Sequence, residues 1–163
     1  MRKIRTELKN RLKGASRVAV LGIGSELKGD DIAGMLTAQL LLSSGRPVKS
    51  RKKTRIIFGS TAPENFTGEI KKFKPTHLLI IDAADIGKDP GTVDFIDVET
   101  ITGESFSTHM LPPKIFIRYL ELFIKCKVII VGIQPETLKF GDPCSKKVEK
   151  ASRLLADAIR KCL

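Results

Sequence analysis

Four short apolar runs limit what this chain can become. Residues 17–22 (RVAVLG), 54–58 (TRIIF), 77–81 (HLLII) and 127–132 (KVIIVG) each read as a buried strand of a parallel sheet, because they stay apolar without alternating. Between them lie segments with helical spacing. Ile4, Leu8 and Leu12 recur every four residues in a basic stretch over 2–13. A second helix is expected over 31–43, closed by Ser44-Gly45-Arg46-Pro47, and a third over 64–73 behind Pro63. The double proline at 112–113 precedes a helix to about Ile124. A last helix, 145–161, carries Val148, Ala151, Leu154, Leu155, Ala158 and Ile159 along one side. Residues 92–98 (TVDFIDV) alternate apolar and polar and therefore predict a half-exposed edge strand. Strand–helix alternation of this kind gives an α/β protein: a single domain over 1–163, with a mostly parallel sheet and helices on both faces.

Charge narrows the partners. The net charge is +11, but segments 1–17, 46–55 and 146–161 carry +6, +6 and +4, which leaves −5 for everything else. The segments with unusual motifs are thus mildly acidic. Without tryptophan and with a single tyrosine, there is little to stack nucleobases, so nucleic acid is not the expected partner. No run approaches the roughly 20 apolar residues of a membrane span. The basic N-terminus lacks the apolar stretch of a secretory signal, so a cytoplasmic location without membrane insertion is expected. Cys126, Cys144 and Cys162 are sparse and form no CxxC pair, which argues against a disulfide framework and a cysteine-based zinc site.

The loop after the first strand, residues 22–31 (GIGSELKGDD), sits where nucleotide-binding loops occur, yet it departs from both common types. Leu27 takes the third glycine position of a dinucleotide fingerprint. P-loop spacing is present from Gly24 to Gly29, but Asp30 and Asp31 replace the lysine and the hydroxyl residue. Two carboxylates there suit a cation rather than a phosphate, or one of them caps the following helix. Asp82 follows the third apolar run, at the carboxyl edge where open α/β sheets bind ligands. Asp85 reads as a turn residue. His109 precedes the double proline, whereas His77 reads as a surface or strand-entry residue. Asp31, Asp82 and His109 together could bind a divalent transition metal with positions left open, although nothing local fixes their separation.

At these residues the sequence resembles the maturation endopeptidases of [NiFe] hydrogenases, hydrogenase-3 type. The resemblance runs from Arg17 onward through 22–31, 59–65 (GSTAPEN), 81–91 (IDAADIGKDPG), 107–112 (STHMLP) and 132–136 (GIQPE). It implies a twisted five-stranded sheet between helices. It also implies an aspartic-type or metal-dependent peptidase that removes a C-terminal extension from a hydrogenase large-subunit precursor after nickel insertion. Asp31, Asp82 and His109 then match the metal-contacting triad, as catalytic and metal-engaging residues. The nickel would come with the substrate, and another divalent cation could occupy the free enzyme. A non-cleaving nickel- or precursor-binding maturation factor of the same fold is the alternative. The chain departs from the family at Ser25, usually asparagine, and at Ile32, usually glycine; isoleucine excludes a positive φ there. The basic N-terminal extension, 1–16, is outside the pattern.

Overall fold

The structure is a computed structural model that describes residues 1–43, 52–100 and 113–163. Its sheet contains β1 (Arg17–Ile23), β2 (Lys53–Ser60), β3 (His77–Ala83), β4 (Val93–Ile96) and β5 (Lys127–Ile133), in the order β2-β1-β3-β5-β4. The first four strands in that order run parallel; β4 pairs antiparallel with β5 at the edge. The expected single-domain α/β fold is therefore what forms, and the alternating segment is the edge strand, four residues long.

Each strand sends alternate side chains to opposite faces, and both faces are covered. Val18, Val20, Leu79, Ile81, Ile129 and Val131 meet α1 (Arg2–Arg11), α2 (Ala33–Ser43) and α5 (Lys146–Arg160). Ala19, Leu21, Leu78, Ile80 and Ile130 meet α3 (Thr67–Phe73), α4 (Pro113–Tyr119) and the π-helical turn Leu120–Ile124 that prolongs α4. Burial on both faces is why the strands read as continuous apolar runs.

Several boundaries shift for physical reasons. The second helix does not begin at Asp31: a 3₁₀ turn, Gly29–Ile32, precedes α2, and its N-cap position is Lys28, which makes no side-chain cap bond. Another 3₁₀ turn, Pro63–Phe66, precedes α3. Ile32 adopts no positive φ; Gly29 takes that conformation instead, at +52°, so the departure from the family pattern brings no backbone strain. The basic N-terminal segment is more than an extension. Ile4, Leu8 and Leu12 insert into the larger core with 8%, 0% and 1% exposure.

His77 corrects a further expectation. It does enter β3, but it is buried rather than on the surface. Burial, then the nearby charges of Lys127 and Lys52, hold its imidazole below the ordinary value of 6.5. The folded protein thus binds this proton less readily than the unfolded chain. Its contribution to stability is complete above about pH 6.5 and declines as the pH falls from there toward the lowered folded value. Chemical denaturation between pH 8 and pH 5 is expected to show this loss, and His77→Gln to flatten it. An unchanged slope in the variant would assign the acid sensitivity to other groups.

Candidate active site

The topology creates a crevice before any side chain is considered. From β1 the chain crosses to β2 on one side, whereas β3 lies on the other, so the connections leaving the carboxyl ends of β1 and β3 diverge. Such a switch point is where open α/β sheets hold ligands. Asp31 lies in the turn after β1, and Asp82 is the sixth residue of β3, so both candidate carboxylates stand at this edge. Their exposures are 1% and 0%. His109 lies outside the described residues.

Two glycines seat the first loop against the sheet. At Gly34, in the first turn of α2, an added Cβ would lie 2.0 Å from the Ile81 carbonyl oxygen and 2.4 Å from that of Ile23. The helix start, three residues past Asp31, is thus pressed onto the end of β1 and onto the residue just before Asp82 in β3. Gly24 has φ +133°, and a Cβ there would come 1.7 Å from the Asp31 carbonyl oxygen. The loop folds back tightly enough for the Ser25 N–H to donate to Asp31 Oδ2 at 2.8 Å. Ser25 Oγ in turn accepts from the Leu27 N–H, so serine supports the turn where the family usually has asparagine.

Asp30 has a different job from its neighbour, and sequence reasoning missed it. It caps no helix. Oδ2 accepts the N–H groups of Glu136 at 2.7 Å and Thr137 at 3.2 Å, and Oδ1 accepts that of Ser145 at 2.6 Å. One buried carboxylate therefore satisfies three backbone donors of the β5–α5 connection. Backbone bonds reinforce the junction, from Asp30 N–H to Thr137 O and from Gly141 N–H to Leu27 O. At the other end of the same connection, Gln134 Oε1 accepts from the N–H groups of Ile86 and Lys88, and its amide nitrogen donates to Asp85 Oδ1. Asp85 also takes the Gly87 N–H, as a turn residue should. The 134–145 segment is a brace that ties the loop after β1 to the turn after β3. The only sequence traces of this are the doubled acid and the 132–136 motif.

The thiols do not compete for the chemistry. Burial pushes Cys126 up to about 11; burial, followed by the Asp30 charge, pushes Cys144 up to about 12. Cys162 is raised by burial as well. All three are free thiols that stay protonated near neutrality. Among the described residues no group of three or more His, Cys, Asp or Glu side chains is gathered as a metal site. The expected third ligand, His109, is not among those residues. Beside the crevice, the two braced loops expose Leu27, Leu138 and Phe140 at 61%, 41% and 70%, an apolar lip on an ordered scaffold.

A five-stranded, mostly parallel sheet with a buried acidic switch point defines a class of protein, and the comparisons give its family. The sequence model of the HycI hydrogenase maturation protease family matches residues 44–161. The chain belongs to that family. It is 38% identical over 155 residues to a Methanocaldococcus jannaschii relative named for hydrogenase maturation, covering 93% of this chain and 91% of the relative. It is 35% identical over 134 residues to the hydrogenase 3 maturation protease of Escherichia coli K12, covering 81% of each. The crystal structure of the [NiFe] hydrogenase maturation protease HycI from Thermococcus kodakarensis KOD1 superposes with a TM-score of 0.85 at 27% identity, covering 96% of this chain and 98% of that one. The unmatched 4% of 163 residues is shorter than the ten-residue α1, so at least part of that helix falls within the match.

Proposed function

We propose that this chain is the endopeptidase that removes the C-terminal extension of a [NiFe]-hydrogenase large-subunit precursor once nickel is in place, and that Asp31, Asp82 and His109 engage that nickel. The observation that carries the reading is the pair of buried carboxylates at the switch point of a maturation-protease fold. Carboxylates withheld from water at one sheet edge favour an arriving cation. An imidazole from the segment before α4 adds a nitrogen donor, a set that suits nickel with positions left over for the substrate. Nickel belongs to the substrate here, so the site reads whether insertion has happened before cutting occurs. Near the scissile bond such an ion polarises the carbonyl or lowers the pKa of a water. The exposed Leu27, Leu138 and Phe140 on the braced loops suit a polypeptide laid across the crevice, since exposed apolar side chains beside a site mark contact surfaces. The three free thiols are all pushed above their ordinary pKa by burial, which does not favour a cysteine nucleophile. Among the described residues no helix is long and apolar enough to cross a membrane.

The test is incubation of the purified protein with nickel-loaded and nickel-free precursor, followed by intact mass. Loss of a C-terminal fragment from the loaded form alone is expected. Stable binding of the loaded precursor without any mass loss would replace the peptidase with a non-cleaving maturation factor.

A further inference from the structure

A groove runs between α1 and α5 on the face of the sheet that these helices cover. Two hollows form it, of about 460 Å³ and 300 Å³, and both are lined by Met1 and Leu154. Its walls are basic: Arg2 and Arg5 come from α1, and Lys147, Lys150 and Lys161 from α5 and its end. Its floor is apolar, formed by Ile4, Ala151 and Leu154, of which Leu154 remains 42% exposed in the middle. Counter-charge is scarce. Asp157 is the one acidic residue lining the hollows, and Arg160 holds it at 2.8 Å. Lys147 is bound to Glu136 at 2.6 Å, whereas Arg2, Arg5, Lys150 and Lys161 make no ion pair among the described residues.

We infer that this groove is a docking site for an acidic polypeptide segment carrying apolar side chains, presented by the precursor at a distance from the cleavage crevice. The inference rests on the function proposed above for its choice of partner. Charge complementarity selects an acidic occupant, and the exposed leucine selects one with apolar side chains. A nucleic acid fits less well. No aromatic ring lines either hollow to stack a base, and a phosphodiester chain has nothing to cover Leu154. A flat anionic bilayer does not enter a concave groove. Position also favours the precursor. Gly91 lines the larger hollow and donates its N–H to Gln134 O, and Lys147 reaches Glu136, so the groove begins where the 134–145 brace ends.

The test pairs Arg5→Glu with Lys150→Glu in one double variant of the full chain; both side chains are exposed and neither touches the crevice. A fluorescein-labelled peptide of glutamate and leucine residues, followed by anisotropy, is expected to bind the native protein. Binding should weaken about tenfold or more in the variant, and likewise when serine replaces the peptide leucines. In cleavage assays, KM for nickel-loaded precursor should rise about tenfold with kcat unchanged. Equal binding of a leucine-free glutamate peptide would overturn the apolar floor. Displacement of the peptide by a short single-stranded RNA or by phosphatidylglycerol vesicles, with tighter binding of either, would overturn the choice of a polypeptide. An unchanged KM in the variant would overturn docking of the precursor there. If the native protein bound the peptide but cut no precursor, the peptidase reading would fall and the groove would stand.

Discussion

Gly34→Ala is expected to destabilise the protein by about 4 kcal/mol or more, at the top of the range for single substitutions. The added methyl would meet the backbone oxygens of Ile81 and Ile23 at 2.0 and 2.4 Å and the Ile23 nitrogen at 2.7 Å. None of these atoms can rotate away. Relief requires the start of α2 to lift from the ends of β1 and β3, which breaks the packing of Ala33 and Thr37, both 0% exposed. For a chain of this length 1 kcal/mol corresponds to roughly 2–4 °C, so the melting temperature should drop by about 8–16 °C. Gly68→Ala is the matched comparison. Nothing lies within 4 Å of its added Cβ, and it sits in the first turn of α3, where alanine fits without strain. Calorimetric melts that left Gly34→Ala within about 2 °C of the native protein would show that α2 is not wedged as described. Because the same wedge carries Asp31, any folded fraction of Gly34→Ala should also cleave poorly.

That close contact is invisible in the sequence, as are most features that depend on distant partners. The strands are legible because burial on both faces leaves a one-dimensional mark, an unbroken apolar run. The edge strand is legible because one exposed face restores alternation. Asp31 and Asp82 are legible as post-strand carboxylates because a parallel sheet collects its strand ends on one edge. Asp30 is not, since its donors are backbone N–H groups of residues 136, 137 and 145, which almost any residue could supply. Gln134 stands out in the sequence only as part of a motif; its hydrogen bonds to Ile86, Lys88 and Asp85 give the physical reason for an amide there. His77 reads as a surface residue because a polar side chain at a strand start is usually exposed, but Lys127 of β5 flanks it in register and the neighbouring strands bury it. The N-terminal helix shows its spacing plainly, and only its charge obscures that three of its leucine and isoleucine side chains belong to the core.

The adjacent acids at 30 and 31 allow the brace and the proposed chemistry to be separated by substitutions one residue apart. Asp30→Asn is expected to cost about 2–4 kcal/mol. The amide keeps one acceptor oxygen, but its NH₂ faces a backbone N–H, so at least one buried donor loses its partner and the charge-assisted bonds become neutral. Asp82→Asn and Asp31→Asn should instead leave the melting temperature within a few degrees. Shape is kept in both, and in Asp31→Asn the amide oxygen can still accept the Ser25 N–H. Under the proposed mechanism, cleavage of nickel-loaded precursor should fall by on the order of 100-fold in both, because an amide would stand where a carboxylate is proposed to engage the metal. His109→Ala should behave like these two, removing the nitrogen donor. His77→Ala is a poor control for it, because that side chain is buried; His77→Gln, scored only on protein shown to be folded, is the better comparison. Melts and cleavage rates measured on the same preparations decide the matter. Full activity in Asp82→Asn or His109→Ala would remove that residue from the proposed site, and a native-like melt in Asp30→Asn would mean that the 134–145 connection is held by its backbone bonds alone.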